Sequence, residues 1–171
     1  ETGWIILASW TVAPQPTVAT INTKNPNLAE VCTGKMVSAT FNSGTGGVGC
    51  SDVFEYSFDN SGTWLTYIPG NNLNTTGHSL VEIRSQRTNC TAGAGCTSTG
   101  WSTLASWIVQ PQPSGPTLAV KTPDQASVCD GQSVSATFNA GSGGAGCTDT
   151  FAYRYDGIGT WQPYTPGSDI S

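Results

Sequence analysis

Val31–Cys50 reads VCTGKMVSATFNSGTGGVGC, and Val128–Cys147 reads VCDGQSVSATFNAGSGGAGC. The two stretches lie 97 residues apart, and the same offset holds without a gap across the whole overlap. GW..LASW of Gly3–Trp10 returns at Gly100–Trp107, and Pro14-Gln15-Pro16 returns at Pro111-Gln112-Pro113. GTW..Y.PG of Gly62–Gly70 returns at Gly159–Gly167, and about half of all aligned positions are identical. Solenoid units run to roughly 20–50 residues, so this period is too long for one. It is the size of a sandwich domain with its own core. The chain is therefore expected to be a tandem array of immunoglobulin-like β-sandwich repeats, all-β, with a period of 97 residues.

Proline fixes φ and donates no ladder hydrogen bond, so the two Pro-Gln-Pro stretches read as joints between domains. The expected division is 1–13 as the last strand of a preceding repeat, 14–110 as a complete repeat and 111–171 as the first part of the next. Glu1-Thr2-Gly3 aligns with Ser98-Thr99-Gly100, and Ile170-Ser171 aligns with Leu73-Asn74. Both ends thus fall in mid-repeat, and the expectation is a window from a longer array. In a rival arrangement, residues 1–13 of one molecule complete 111–171 of another by strand donation. That swap would still lack a counterpart of Ser79–Arg87, so the window is the simpler reading.

Within one repeat, strands are expected at Thr17–Thr23, Met36–Asn42, Ser79–Arg87 and Trp101–Val109. A hairpin is expected at VFEYSF-DNSG-TWLTY, giving six or seven strands and no helix. Met36–Asn42 alternates, with Val37, Ala39 and Phe41 on one face and Ser38, Thr40 and Asn42 on the other. WIILASWTV near the start is too short to cross a membrane and reads as a strand. Charged residues make up only 10% of the chain, against a usual quarter. Six Trp, five Tyr and five Phe supply anchors for a core. Six basic residues against eleven acidic ones form no phosphate-binding footprint, so nucleic acid is not an expected partner.

Six cysteines without metal-ligand spacing read as disulfides, which places the chain in an oxidising compartment, outside the cell or in a periplasm; the expected location is extracellular, at the bacterial cell surface. Cys90 and Cys96 bracket a short loop, and Cys32 and Cys50 bracket a strand with its glycine-rich loop. The suggested pairs are Cys32 with Cys50, Cys90 with Cys96 and Cys129 with Cys147. An alternative ties Cys50 to the Cys90/Cys96 loop, if both loops lie at one end of a sandwich.

Residues able to carry chemistry are few. GTGGVG and GSGGAG are followed by a cysteine and a strand, whereas a phosphate cradle needs a helix N-terminus there. Asp52, Asp149, Asp59 and Asp156 are the carboxylates that calcium could recruit, but they lack the spacing of a calcium loop and suit turns on their own account. No cofactor is expected beyond that calcium alternative, and no zinc set is present. His78 is the only histidine; it reads as a solvated loop residue, and no catalytic constellation is expected. Asn74 and Asn89 head glycosylation patterns. Trp10, Trp64, Trp107 and Trp161 recur with the repeat and are expected in the core. Trp4 and Trp101, near a strand's start, are the candidate ligand-contact aromatics.

The pattern VC.G..VSATF.AGSGG.GC.D.F.Y..DG...W..Y.PG, followed by VEIRSQR..C....GC....W..LASW.V.PQP, resembles the repeats of very large Bacteroidetes surface proteins. The likeness is to gliding-motility adhesins and related giant proteins exported by type IX secretion, and it covers essentially the whole chain. It implies a thread-like adhesin at the bacterial cell surface. The expected function is a disulfide-stapled spacer, a structural and adhesive module rather than an enzyme. The alternatives are a carbohydrate-binding module and an accessory domain of a large secreted enzyme. Expected partners are neighbouring repeats, surface polysaccharide or another copy of the filament.

Overall fold

The computed structural model describes residues 3–155 and 157–171. The chain forms two compact units, Glu1–Val109 and Gln110–Ser171. The described residues form strands and no helix, so none is long and apolar enough to cross a membrane.

Unit 1 contains eight strands: β1 (Thr20–Asn25), β2 (Glu30–Cys32), β3 (Met36–Asn42), β4 (Ser51–Phe58), β5 (Leu65–Thr66), β6 (Leu73–Asn74), β7 (Leu80–Thr88) and β8 (Ser102–Gln110). One sheet runs β1-β3-β6 and the other β2-β8-β7-β4-β5. Their inner faces meet in one core of Val31, Val37, Ala39, Tyr67, Leu73, Val81, Ile83, Ala105, Trp107 and Val109. The long strands alternate as their sequences require. Ala105, Trp107 and Val109 of β8 are buried while Ser106 and Ile108 face outward. Val81, Ile83 and Ser85 do the same from β7.

Three expectations need correction here. β2 and β6 are additional strands, too short to show alternation in sequence. The first strand starts at Thr20, because Thr17 instead pairs with the glycine loop through Thr17 N–H to Thr45 O (2.8 Å). Trp4–Val12, expected as a strand, joins no ladder.

Unit 2 repeats the first part of this plan with β9 (Thr117–Thr122) paired to β10 (Ser135–Asn139), and β11 (Ala152–Tyr153) paired to β12 (Gln162–Pro163). Its counterparts of the unit 1 anchors recur closely. Phe41 stacks on Phe54 at 4.8 Å, and Phe138 stacks on Phe151 at 4.6 Å. The Tyr67 hydroxyl accepts Ala39 N–H at 3.0 Å and lies 2.9 Å from Asn71 O; the Tyr164 hydroxyl accepts Ala136 N–H at 2.8 Å and lies 3.0 Å from Ser168 O. A phenol thus ties a loop to a strand in both units; Tyr67 is buried and Tyr164 half-buried, and in unit 1 the bonds satisfy groups that burial would otherwise strand.

Candidate functional site

The Pro-Gln-Pro joint and the glycine-rich loop recur in both units, and in each they are bonded to each other. In unit 1, Gly47 N–H donates to Pro14 O at 2.8 Å. A side chain at Gly44 would run into the Thr17 carbonyl, and one at Gly46 into the Gln15 carbonyl. One at Gly47 would meet the Cys50 sulfur and, at 3.2 Å, the Pro16 ring. Gly46, Gly47 and Gly49 also have φ near +70°, which glycine adopts without a Cβ penalty. The glycines therefore serve a close backbone approach: the joint lies in the loop.

Side chains lock the same end. Gln15 donates from Nε2 to Gly95 O and accepts Thr97 N–H at Oε1, both at 3.1 Å, so the joint is also held by the Cys90–Thr97 loop. Asp52 accepts Gly44 N–H at 2.9 Å and Arg87 Nη1–H at 3.0 Å. Arg87 Nε donates to Gly46 O at 3.2 Å. This ion pair is well covered, with side-chain exposures of 15% and 9%, so solvent screens it less than a surface pair. Cys50 is disulfide-bonded to Cys90, and Thr91 N–H donates to Val48 O at 2.8 Å.

Unit 2 builds the joint again. Gly144 N–H donates to Pro111 O at 2.8 Å, and Ser114 and Ser142 exchange backbone bonds at 2.8 and 3.2 Å. Asp149 accepts Gly141 N–H at 2.8 Å. Side chains at Gly141 and Gly143 would strike the Ser114 and Gln112 carbonyls, and one at Gly144 would strike the Cys147 sulfur and meet the Pro113 ring at 3.1 Å.

The Cys50–Cys90 bond overturns two suggested pairs, Cys32 with Cys50 and Cys90 with Cys96. β4 pairs with β7 from Ser51–Thr88 to Phe58–Val81, so Cys50 and Cys90 leave the ladder side by side. β2 lies at the other end: Ile108 N–H donates to Ala29 O, and Ile108 is level with Leu80. Eight residues of β4 separate the ends, roughly 25 Å at strand rise. Cys96 retains a thiol, and Cys129 and Cys147 are exposed thiols with no bond between them. The alternative, Cys50 tied to the Cys90/Cys96 loop, is the arrangement found.

Of the four recurrent tryptophans, only Trp107 fills the core; Trp10 is 85% exposed and Trp161 is 58% exposed. Trp64 lies on the outer face with Trp101. The Arg84 guanidinium sits between them, 3.8 Å from the Trp64 ring centre and 4.2 Å from that of Trp101. Glu55 Oε2 accepts Arg84 Nε–H at 3.0 Å and Nη2–H at 2.7 Å. Trp101 is 39% exposed, with one face taken by Arg84, and Trp4 is fully exposed.

His78 is not simply solvated. Its ring stacks on Phe58 at 3.8 Å and its Nδ1 lies 2.7 Å from Asp59 Oδ2. Asp59 Oδ1 accepts the Ser79 hydroxyl at 2.8 Å and Leu80 N–H at 3.1 Å. Donors from Ser79 and His78 hold the Asp59 carboxyl well below the usual carboxylate range. The Ser79 hydroxyl bonds to the carboxylate rather than to the imidazole, so the three do not form a nucleophile–base relay.

Asp52 and Asp59 thus spend both carboxylate oxygens on protein partners, Asp149 accepts one donor at Oδ2, and Asp156 lies outside the described residues. No group of three or more metal-ligating side chains gathers among the described residues. Asn74 Oδ1 accepts Thr76 N–H at 3.0 Å, and Asn89, with φ of 56°, donates to Ser51 Oγ at 3.1 Å. Sequence alone does not single out Gln15 or Arg87; the recurrence of Gln15 as Gln112 is the available signal for the first. No protein-family model, curated protein or solved structure matches the chain.

Proposed function

We propose that the chain is a structural and adhesive repeat module of a long extracellular cell-surface protein or filament, and that each immunoglobulin-like unit acts as a stapled spacer. One observation carries this reading: in both units the Pro-Gln-Pro joint is hydrogen-bonded into the glycine loop of the unit it leads into, through Pro14 and through Pro111. A flexible linker would leave that backbone to solvent. A joint seated in its domain passes tension and bending into a sheet instead. The Cys50–Cys90 bond beside it, the low charge and the gap-free repetition support the same reading. An oxidising compartment suits the disulfide.

Polysaccharide binding is the second reading, favoured by Trp64 and Trp101 flanking Arg84 on the outer sheet face. It requires saturable binding on a glycan panel that Trp101→Ala abolishes.

Imaging of the native source material tests the spacer. Strands of nine residues plus their end loops give a unit roughly 35–45 Å long. Threads with beads at that axial spacing support it. A compact particle with two or three beads beside a bulky domain would point to an accessory domain of an enzyme.

A further inference from the structure

Three cysteines meet at one end of unit 1. In the larger sheet, β7 lies between β4 and β8. Cys90 follows the end of β7, and its disulfide partner Cys50 immediately precedes β4. Cys96 lies on the stretch of chain that returns to β8. That return keeps an antiparallel register with β7 beyond the ladder. Thr99 N–H donates to Arg87 O at 2.9 Å, and Arg87 N–H donates to Thr99 Oγ1 at 2.9 Å. The Thr88 and Ser98 hydroxyls lie 2.9 Å apart. Residues 87 and 88 thus face 99 and 98, and the same register, two residues on, sets Cys90 opposite Cys96. Facing Cα atoms of antiparallel chains are about 4.5–5.5 Å apart. A disulfide bridges Cα atoms about 4.4–6.8 Å apart. Cys90 therefore has a cysteine on each side, one bonded to it and one a thiol.

The intervening turn is open. Ala94 N–H donates to Thr91 O at 3.3 Å, and a Cβ at Gly93 or Gly95 would meet nothing. No packing there resists a small readjustment. Cys50, Cys90 and Cys96 are all half-buried, so water reaches the site and a thiolate can form at Cys96.

We propose that Cys90 is a shared sulfur, exchanged between Cys50 and Cys96. Cys96 gives up its proton, and its thiolate attacks Cys90 Sγ. The Cys90–Cys96 bond forms as the Cys50–Cys90 bond breaks, and Cys50 leaves as a thiolate that takes up a proton. One disulfide and one thiol stand on each side of the reaction, so it needs no oxidant or reductant. The exchange changes what is stapled. Cys50–Cys90 ties the glycine loop to the end of β7 across a separation of 40 residues. Cys90–Cys96 closes only the TAGAG turn. Gln15 bonds to Gly95 O and Thr97 N–H, the two neighbours of Cys96, so the joint is gripped by the same loop that carries the attacking thiol. The use of this in a spacer rests on the function proposed above: a loaded unit would lengthen without losing its count of disulfides.

Mass-spectrometric peptide mapping of the 171-residue chain without reduction tests the exchange, whether or not the chain is a spacer. The protein is incubated without oxygen, quenched with acid and alkylated. Alkylated Cys50 should appear in molecules that carry a Cys90–Cys96 bond. Its rate of appearance should rise about tenfold per pH unit below the ordinary thiol value of about 8.5. The rate should not depend on protein concentration, which separates it from attack by the exposed Cys129 and Cys147 thiols of another molecule. Cys96→Ser should abolish the alkylated Cys50 and leave Cys50–Cys90 intact. A native chain in which Cys50 stays bonded at every pH overturns the proposal. So does a Cys50 thiol that persists in Cys96→Ser, or one whose rate of appearance scales with concentration.

Discussion

The Trp107 indole N–H donates to the Pro26 carbonyl at 3.0 Å, joining β8 to the turn between β1 and β2. This turn is where the chain crosses from one sheet to the other, because β1 and β2 belong to different sheets. The largest core side chain therefore carries a polar bond that fixes the crossing as well as filling space. Trp107→Ala is expected to cost ~3–5 kcal/mol from lost burial and the cavity left behind. Trp107→Phe keeps most of the ring but strands the Pro26 carbonyl, for about 2 kcal/mol. Trp10→Ala, at a side chain 85% exposed, should stay within about 0.5 kcal/mol of the native value. Urea denaturation of the three variants checks the order.

The Cys50–Cys90 bond closes a loop with a sequence separation of 40 residues. In the chain-entropy treatment that restrains the unfolded state by about 4 kcal/mol. The paired Cys50→Ser/Cys90→Ser variant should lose stability of that order. The variant should also lengthen under force: unfolding of the native unit should release about 140 Å less contour than that of the variant, since forty residues stay locked. Single-molecule pulling of the two proteins reads this difference directly.

Much of the sandwich was legible because β7 and β8 alternate over their central residues and β3 alternates in sequence, although Ser38 is buried along with Val37 and Ala39. The pattern is imposed by one buried face, so it survives in sequence. β2 and β6, with three and two residues, carry no period, and their pairing depends on neighbours brought in from far along the chain. The disulfide was open between two pairings because sequence gives the spacing of cysteines, not which end of the sheet each occupies. Trp10 shows the same limit from the other side. It has the sequence context of Trp107 and none of its burial, because burial belongs to the partner strands. Glycine was readable as a loop former, but its target was not: only the fold brings Gly44, Gly46 and Gly47 against the backbone of residues 14–17.

That contact gives a paired test. Gly47 and Gly62 have nearly equal φ, 72° and 75°. A Cβ at Gly47 meets Cys50 and Pro16, whereas one at Gly62 meets nothing. Gly62→Ala should therefore show the left-handed backbone penalty alone, about 1 kcal/mol. Gly47→Ala should cost more, up to about 3 kcal/mol, and should also free the joint. Limited proteolysis between Ala13 and Val18 ought to accelerate only in Gly47→Ala. Equal protection in both variants would mean that the joint is held without the loop.

Acid should weaken unit 1 through Asp59. Its folded carboxyl is held below the ordinary Asp value of 3.8 by the Ser79 N–H, the His78 ring, the Ser79 hydroxyl and the Leu80 N–H. A depressed folded value means that the unfolded chain takes up the proton first. The contribution is therefore complete above the ordinary value and is lost as pH falls below it toward the folded one. Asp59→Asn should lower the urea midpoint at pH 7 and flatten its decline between about pH 5 and pH 2. The Ser79 and Leu80 donors can still reach the amide oxygen, so the fold persists and the comparison isolates the charge. A variant whose midpoint falls with acid as steeply as the native protein would show that the Asp59 carboxylate does not set the acid limit.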